Sequence, residues 1–397
     1  MAMQETIPVP APIPGTAPAG AAARAAGGAG AAGGGHLFHP VVDFLCLGGG
    51  SLIILGLLAV FRPPAESYGM VAALMIGVAH VVNHPHFAHS YQIFYRGFGQ
   101  KAFGSHYEPT LRLRYLFAGV VVPLALFAYF LTTVLLQDAR ALGFAANIML
   151  FLVGWHYVKQ GYGMLIVCSV LKRQFFSAPD KQILLVNAYA VWIADWMLAN
   201  WTLRERDFWG LGYYTFELPQ PLVSLAIAIA TGTTAAMLWM LARKWWAEER
   251  RLPVNGVVAY LVSLYLWLLL NFDPIFLLLI PACHSMQYLL VVWRYQLNAE
   301  RDRAGRAAEA GKAGWFAGRA GLRFGLFLLT GLALGYLGFW LLPAVLAVSI
   351  PVDKAVFGPT VFLFICWIFI NVHHYFLDNV MWRRGNPDTG RYLFAHR

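Results

Sequence analysis

Charge is scarce in this sequence. Of 397 residues only 12% are Asp, Glu, Lys or Arg, about half of the roughly 25% usual in soluble domains. That argues against a water-soluble globular fold. Closely spaced cysteine is missing as well. Cys46, Cys168, Cys283 and Cys366 all sit inside apolar runs and no CxxC occurs, so no disulfide framework is expected. Neither a Walker A motif nor a GxSxG elbow is present, which leaves no evident phosphate cradle or acyl-enzyme nucleophile. What the chain has in abundance is apolar surface: 59% hydrophobic and 15% aromatic residues, with a mean hydropathy of +0.59.

Residues 1–38 are dominated by Ala, Gly and Pro and cannot bury a core. They are expected to be a disordered tail, and they lack the basic start and Leu-rich run of a secretory signal. From Val41 the sequence becomes apolar runs of spanning length, about 20 residues each. Ten are expected, at 41–61, 69–95, 115–136, 141–171, 182–201, 221–246, 256–270, 275–297, 324–349 and 358–382. The expected fold is all-α: a polytopic integral membrane helix bundle filling a single domain over 39–385, with a short C-terminal tail at 386–397. The one long polar connection, 298–323, is expected to be a partly helical segment lying on the cytoplasmic surface.

The net charge of +10 follows topology. With ten spans, 23 Lys and Arg fall on the side of the termini, five on the other, and Lys159 within a span. Such an asymmetry predicts cytoplasmic termini in a plasma membrane of bacterial type. The basic balance therefore calls for the lipid bilayer as partner, and no nucleic acid.

Twelve histidines are present. His36, His39, His106 and His396 lie outside the expected spans. The other eight lie on four of them: His80, His84, His86 and His89; His156; His284; His373 and His374. Ionisable groups at this depth are costly, face the bundle interior and usually mark function. All four spans run in the same direction. His284 precedes Arg294 by ten residues, His374 precedes Arg383 by nine, and His84 precedes Arg96 by twelve. These are about 15, 14 and 18 Å of helix, close to half a hydrocarbon core. His156 is sixteen residues from Lys172, about 24 Å, and fits this common depth less well.

Spacing adds detail. His80 and His84 are i,i+4 and share a face. Pro85 interrupts the ladder and can re-aim His86 and His89. His374 and Asp378 are also i,i+4, the arrangement by which a carboxylate orients a ligating imidazole. His156 shares its face with Lys159 and Gln160, and His284 with Gln287 and Tyr288. Asp195 is an intramembrane carboxylate for which a role beside the site and an ion pair with Lys159 stay equally open; Asp43 is expected at the interface.

Several imidazoles with little carboxylate suit iron or copper better than structural zinc. The expected site is non-haem Fe2+ on His84, His156, His284 and His374, with His80, His86 and His373 as alternates and Asp378, Tyr288 and Lys159 as catalytic candidates. Copper stays open as the metal. So do haem b held by two histidines in an electron-transfer protein, a proton relay in a transporter, and simple interhelical hydrogen bonding.

The order of these segments resembles the Brp/Blh-type carotene cleavage dioxygenases, integral membrane proteins that use histidine-bound iron and O2. The matching positions are His84 with His86, His156, His284, and His374 with Asp378. They lie in 75–95, 150–165, 280–295 and 370–385; the family's early His-Gly-x-x-Asp and its His-Phe-Gly are absent. The resemblance implies an O2-dependent oxygenase acting on an apolar isoprenoid or lipid that enters from the bilayer, with any electron-donor protein left open. Membrane desaturases carry surface HxxxH and HxxHH boxes, of which only His80–His84 has the spacing here.

Overall fold

The computed structural model describes residues 35–61, 64–105, 107–202, 207–208, 211–212, 214–247, 251–271, 276–309, 319–383 and 385–394. Residues 1–34 of the expected tail, His106, His396, positions 310–318 of the polar connection and 395–397 of the C-terminal tail lie outside the described residues. So do the basic residues Arg24, Arg62, Arg204, Arg206, Arg250, Lys312, Arg384 and Arg397 of the charge count.

Ten long helices stand among the described residues. They are α1 (Pro40–Leu58), α2 (Tyr68–Tyr95), α3 (Pro109–Leu135), α4 (Ala139–Leu171), α5 (Ala178–Thr202) and α6 (Gln220–Ala247), then α7 (Val254–Tyr265), α8 (Phe276–Glu309), α9 (Ala320–Ser349) and α10 (Val361–Met381). Eight of them, all but α7 and α8, are long and apolar enough to cross a bilayer. The fold is therefore an all-α polytopic bundle. The strand pairing among the described residues is one two-residue antiparallel contact, Asp207–Phe208 with Leu211–Gly212. All four cysteines are free.

Burial separates a centre from a lipid-facing shell. Of the apolar windows of these eight helices, 67% is buried in α10 and 56% in α4, against 22–33% in the other six. The outer helices present bare apolar side chains, Leu57, Leu124, Phe127, Ile229, Leu329 and Val348 among them. In water such a surface would aggregate; against acyl chains it is solvated.

Three helices loosen into a π-turn, at Leu45–Gly49, Phe117–Val121 and Leu337–Leu341. Such turns free carbonyl groups and concentrate at functional places. In α3 the cause is legible: Pro123 has no N–H for the carbonyl of Gly119. The Tyr95 hydroxyl donates to that oxygen at 2.8 Å. In α1 the Leu47 carbonyl accepts from Gln287 Nε2 at 2.8 Å, and the backbone turns at Gly48 with φ of 145°, a conformation glycine tolerates.

Helix α2 is broken where Pro85 deprives the Val81 carbonyl of a donor. The backbone kinks at Val82 (φ −118°, ψ −58°), and His86 N resumes the ladder on the Val82 carbonyl at 3.3 Å. Close approach of α9 to α2 depends on Gly331 and Gly335. A Cβ on the first would lie 2.2 Å from the His89 ring, and on the second 2.8 Å from His84 Cβ.

The polar stretch from residue 298 is helical up to Glu309 and continues α8 without interruption, because its Ala, Glu and Arg residues are strong helix formers. Asp43 stands in the first turn of α1. It is buried and accepts the backbone N–H groups of Leu37, Phe38 and His39, folding residues 37–39 back over the start of α1.

Candidate metal centre

Helices α2, α4 and α10 bring His86, His156, His374 and Asp378 together. One ligand atom from each lies within 4.8 Å of all the others, and all four side chains are buried. His374 Nε2 is 3.4 Å and His156 Nε2 3.9 Å from Asp378 Oδ2. Two ligands on one ion with bonds of about 2.1 Å stand at about this separation.

The inward atoms lack partners. His86 Nε2, His156 Nε2, both ring nitrogens of His374 and Asp378 Oδ2 are buried with no hydrogen bond. Each such group normally costs about 1–3 kcal/mol, so four gathered at one point indicate a missing common partner. The atoms that face away are anchored. Asp378 Oδ1 accepts from the hydroxyls of Tyr288 at 2.8 Å and Ser90 at 3.0 Å. Ser90 and Tyr288 also touch each other, and the Trp382 indole N–H reaches the tyrosine oxygen at 3.4 Å. His86 Nδ1 meets Ser285 Oγ at 2.8 Å, and that hydroxyl donates to Asn83 Oδ1 at 2.7 Å. The serine oxygen thus accepts from His86 Nδ1–H, and the bare lone pair of His86 points inward from Nε2. Such outer hydrogen bonds fix tautomer and ring orientation. Replacing Ser285 by Ala is expected to weaken metal binding about 10–100-fold with the fold retained, measured by competition with a chelator. Unchanged affinity would detach the serine from the site.

Electrostatics point the same way. Asp378 is a carboxylate in the middle of an apolar bundle. Among the described residues no Lys or Arg forms an ion pair with it; the titratable groups that approach its free oxygen are the two imidazoles already named. A buried anion is normally paired or bound to a metal.

The structure sorts the expected residues. His86, an alternate, takes the place expected for His84. His84 instead stacks on Phe339 with ring centres 4.5 Å apart, and His80 stacks on Trp340 at 5.3 Å; both face α9. His373 has both ring nitrogens engaged, Nδ1 with Tyr91 Oη at 2.9 Å and Nε2 with the Ala118 carbonyl at 3.0 Å. It is a clamp between α10, α2 and the π-turn of α3. His89 bonds Gln92 Oε1 and lies flat on Phe327. His284 borders the cluster, its ring 5.0 Å from that of His156 and 5.2 Å from that of His86, but it is not in the four-residue set. Tyr288 holds Asp378, as described. Lys159 is outside the four-residue set: it donates to Asn379 Oδ1 at 3.1 Å and lies over the Trp155 ring. It makes no ion pair with Asp195 among the described residues.

No family model, curated protein or solved structure matches the chain. The functional reading therefore rests on the donor set and its surroundings. Ser90, Ser285 and Asn83 were missed from sequence. Asn83, His86 and Ser90 stand at i, i+3 and i+7, a polar stripe along one face of the helix, and that stripe was the available signal.

Proposed function

We infer that this protein is a membrane oxidoreductase of the oxygenase class, with a non-haem iron ion held by His86, His156, His374 and Asp378. One observation carries the reading: three imidazole nitrogens and one carboxylate oxygen, all buried and unpartnered, converge inside a lipid-solvated bundle. Imidazoles with one carboxylate are the donor chemistry of non-haem Fe2+ oxygenases. When bound, iron supplies O2 activation for attack on a C=C or C–H bond.

The chain's own residues do the rest. Tyr288 and Ser90 hold Asp378 by one oxygen and leave the other aimed inward. Ser285 sets the tautomer of His86. Burial excludes water from the site and limits side reactions. The haem alternative fits poorly, because a macrocycle between two imidazoles would occupy the volume into which the third imidazole and the carboxylate project. An apolar substrate is supported by the ring-lined boundary between α2 and α9. There Trp340, His84, Phe339 and Phe87 lead, each within about 6 Å of the next, to His374, whose ring is 4.8 Å from that of Phe87. An isoprenoid substrate rests on the carotene cleavage resemblance alone, and the Lys/Arg asymmetry supports cytoplasmic termini.

The test is elemental analysis of protein purified in detergent, with an absorption spectrum. About one iron per chain without a Soret band is expected, and His80→Ala and His373→Ala are expected to retain it. A Soret band would establish haem, copper in place of iron would change the metal, and absence of any stoichiometric metal would leave a proton relay as the reading.

A further inference from the structure

His284 is the one buried imidazole at the cluster outside the four-residue donor set, and the hydrogen bonds behind it set its tautomer. Gln287 Nε2 donates to the Leu47 carbonyl at 2.8 Å, so Gln287 Oε1 faces the other way and accepts from Ser263 Oγ at 3.0 Å. Gln160 Nε2 is 3.2 Å from that same Oε1 and 3.1 Å from the His284 carbonyl. Reversing the Gln160 amide would set its oxygen against two acceptors. The amide nitrogen must therefore stand where it is, 3.1 Å from His284 Nδ1. The two amide N–H bonds are shared among three acceptors, Gln287 Oε1, the His284 carbonyl and Nδ1; a protonated Nδ1 would face this donor, so Nδ1 is the bare nitrogen of the neutral ring and the proton sits on Nε2. His284 Nε2 is buried and unpartnered. Tyr157 stacks flat on the ring, with centres 3.6 Å apart and planes within 7°, which fixes its direction.

We propose that His284 is not a metal ligand but a hydrogen-bond donor, held by the Leu47–Gln287–Gln160 chain, to an anionic or oxygen-bearing ligand bound beside the four-donor cluster. The assignment rests on the metal reading above. It gives the two helix-α8 neighbours opposite roles: Ser285 makes His86 an inward lone pair, while Gln160 makes His284 an inward N–H. A preorganised donor in a dry site is worth far more than in water, because no solvent must reorganise around it.

The experiment uses full-length protein in detergent loaded with Co2+, whose visible absorption reports its ligands, and azide as the probe anion. In His284→Ala, cobalt stoichiometry and the azide-free spectrum are expected to match the parent, while azide affinity falls about tenfold, the loss of one hydrogen bond to a charged acceptor. In Gln160→Met, a side chain of similar length that donates no hydrogen bond, His284 Nδ1 loses the donor that fixes its tautomer, and azide affinity is expected to fall with cobalt still bound. Cobalt loss or a shifted azide-free spectrum in folded His284→Ala would make His284 a ligand and overturn the proposal. Unchanged azide affinity in Gln160→Met would also overturn it, and this second variant decides the matter if His284→Ala does not fold. Parent protein that takes up no cobalt would instead remove the metal reading itself.

Discussion

Replacing His374 by alanine is expected to leave less than about a tenth of the parent's bound metal after purification, with the helical bundle intact. His374 is fully buried, its ring lies 4.5 Å from that of His86 and 4.9 Å from that of His156, and it approaches Asp378 most closely of the three. Neither His373 nor His84 can substitute. His373 is tied to Tyr91 and the Ala118 carbonyl, and His84 is stacked on Phe339 facing α9. The matching control is His84→Ala, expected to keep full metal content although sequence spacing alone ranked it as a ligand. Metal analysis beside a helical circular dichroism spectrum checks both. Full metal in His374→Ala, or loss confined to His84→Ala, would put the site elsewhere.

The reversal between His84 and His86 shows how far the sequence could be read. Spanning helices were legible because hydrocarbon demands continuous apolar runs with every backbone group bonded internally. The helices of the site were legible because eight histidines at that depth are too costly to be incidental. Facing was not. Residues i and i+2 point to opposite sides of a helix, so His84 and His86 could not both enter one site, and Pro85 between them obscured the choice. The polar stripe Asn83, His86, Ser90 decides it in retrospect; the stripe through His80 and His84 continues into Ala88. Depth misled at His156, measured from Lys172. Helix α4 has 33 residues, about 50 Å, and overruns a hydrocarbon core of about 30 Å, so its terminal Lys is no marker of the interface. Asp378 was expected to orient His374 from behind. Its second oxygen instead points into the cluster, because Tyr288 and Ser90 hold the first, and both belong to other helices than its own.

Glu300→Ala is expected to destabilise the fold by about 3–5 kcal/mol, the cost of breaking a buried ion pair from one side. Glu300 is 2% exposed and binds three elements together. Its Oε2 accepts from Arg323 Nε at 2.7 Å, and its carbonyl from Arg323 Nη2 at 2.9 Å, tying α8 to the start of α9. Its Oε1 accepts from Gln296 Nε2 at 2.7 Å and Arg303 at 3.1 Å, and Arg96, just beyond α2, stands 3.6 Å away. Arg96 also donates to Gln296 Oε1 at 3.0 Å. Removing the one carboxylate takes away the acceptor that Arg323, Arg303 and Arg96 share. Like charges so placed repel, and Arg323, 16% exposed, cannot fully reach water. Arg303, at 42% exposed, is the contrast: Arg303→Ala is expected to cost about 0–1 kcal/mol, as solvent-exposed pairs do. Thermal inactivation in detergent separates the two, with a fall of several degrees for the Glu300 variant and almost none for the Arg303 variant. Since α2 and α8 both carry groups of the metal site, the Glu300 variant is also expected to lose metal on mild heating before it unfolds; equal melting of both variants would show that the carboxylate does not hold these helices together.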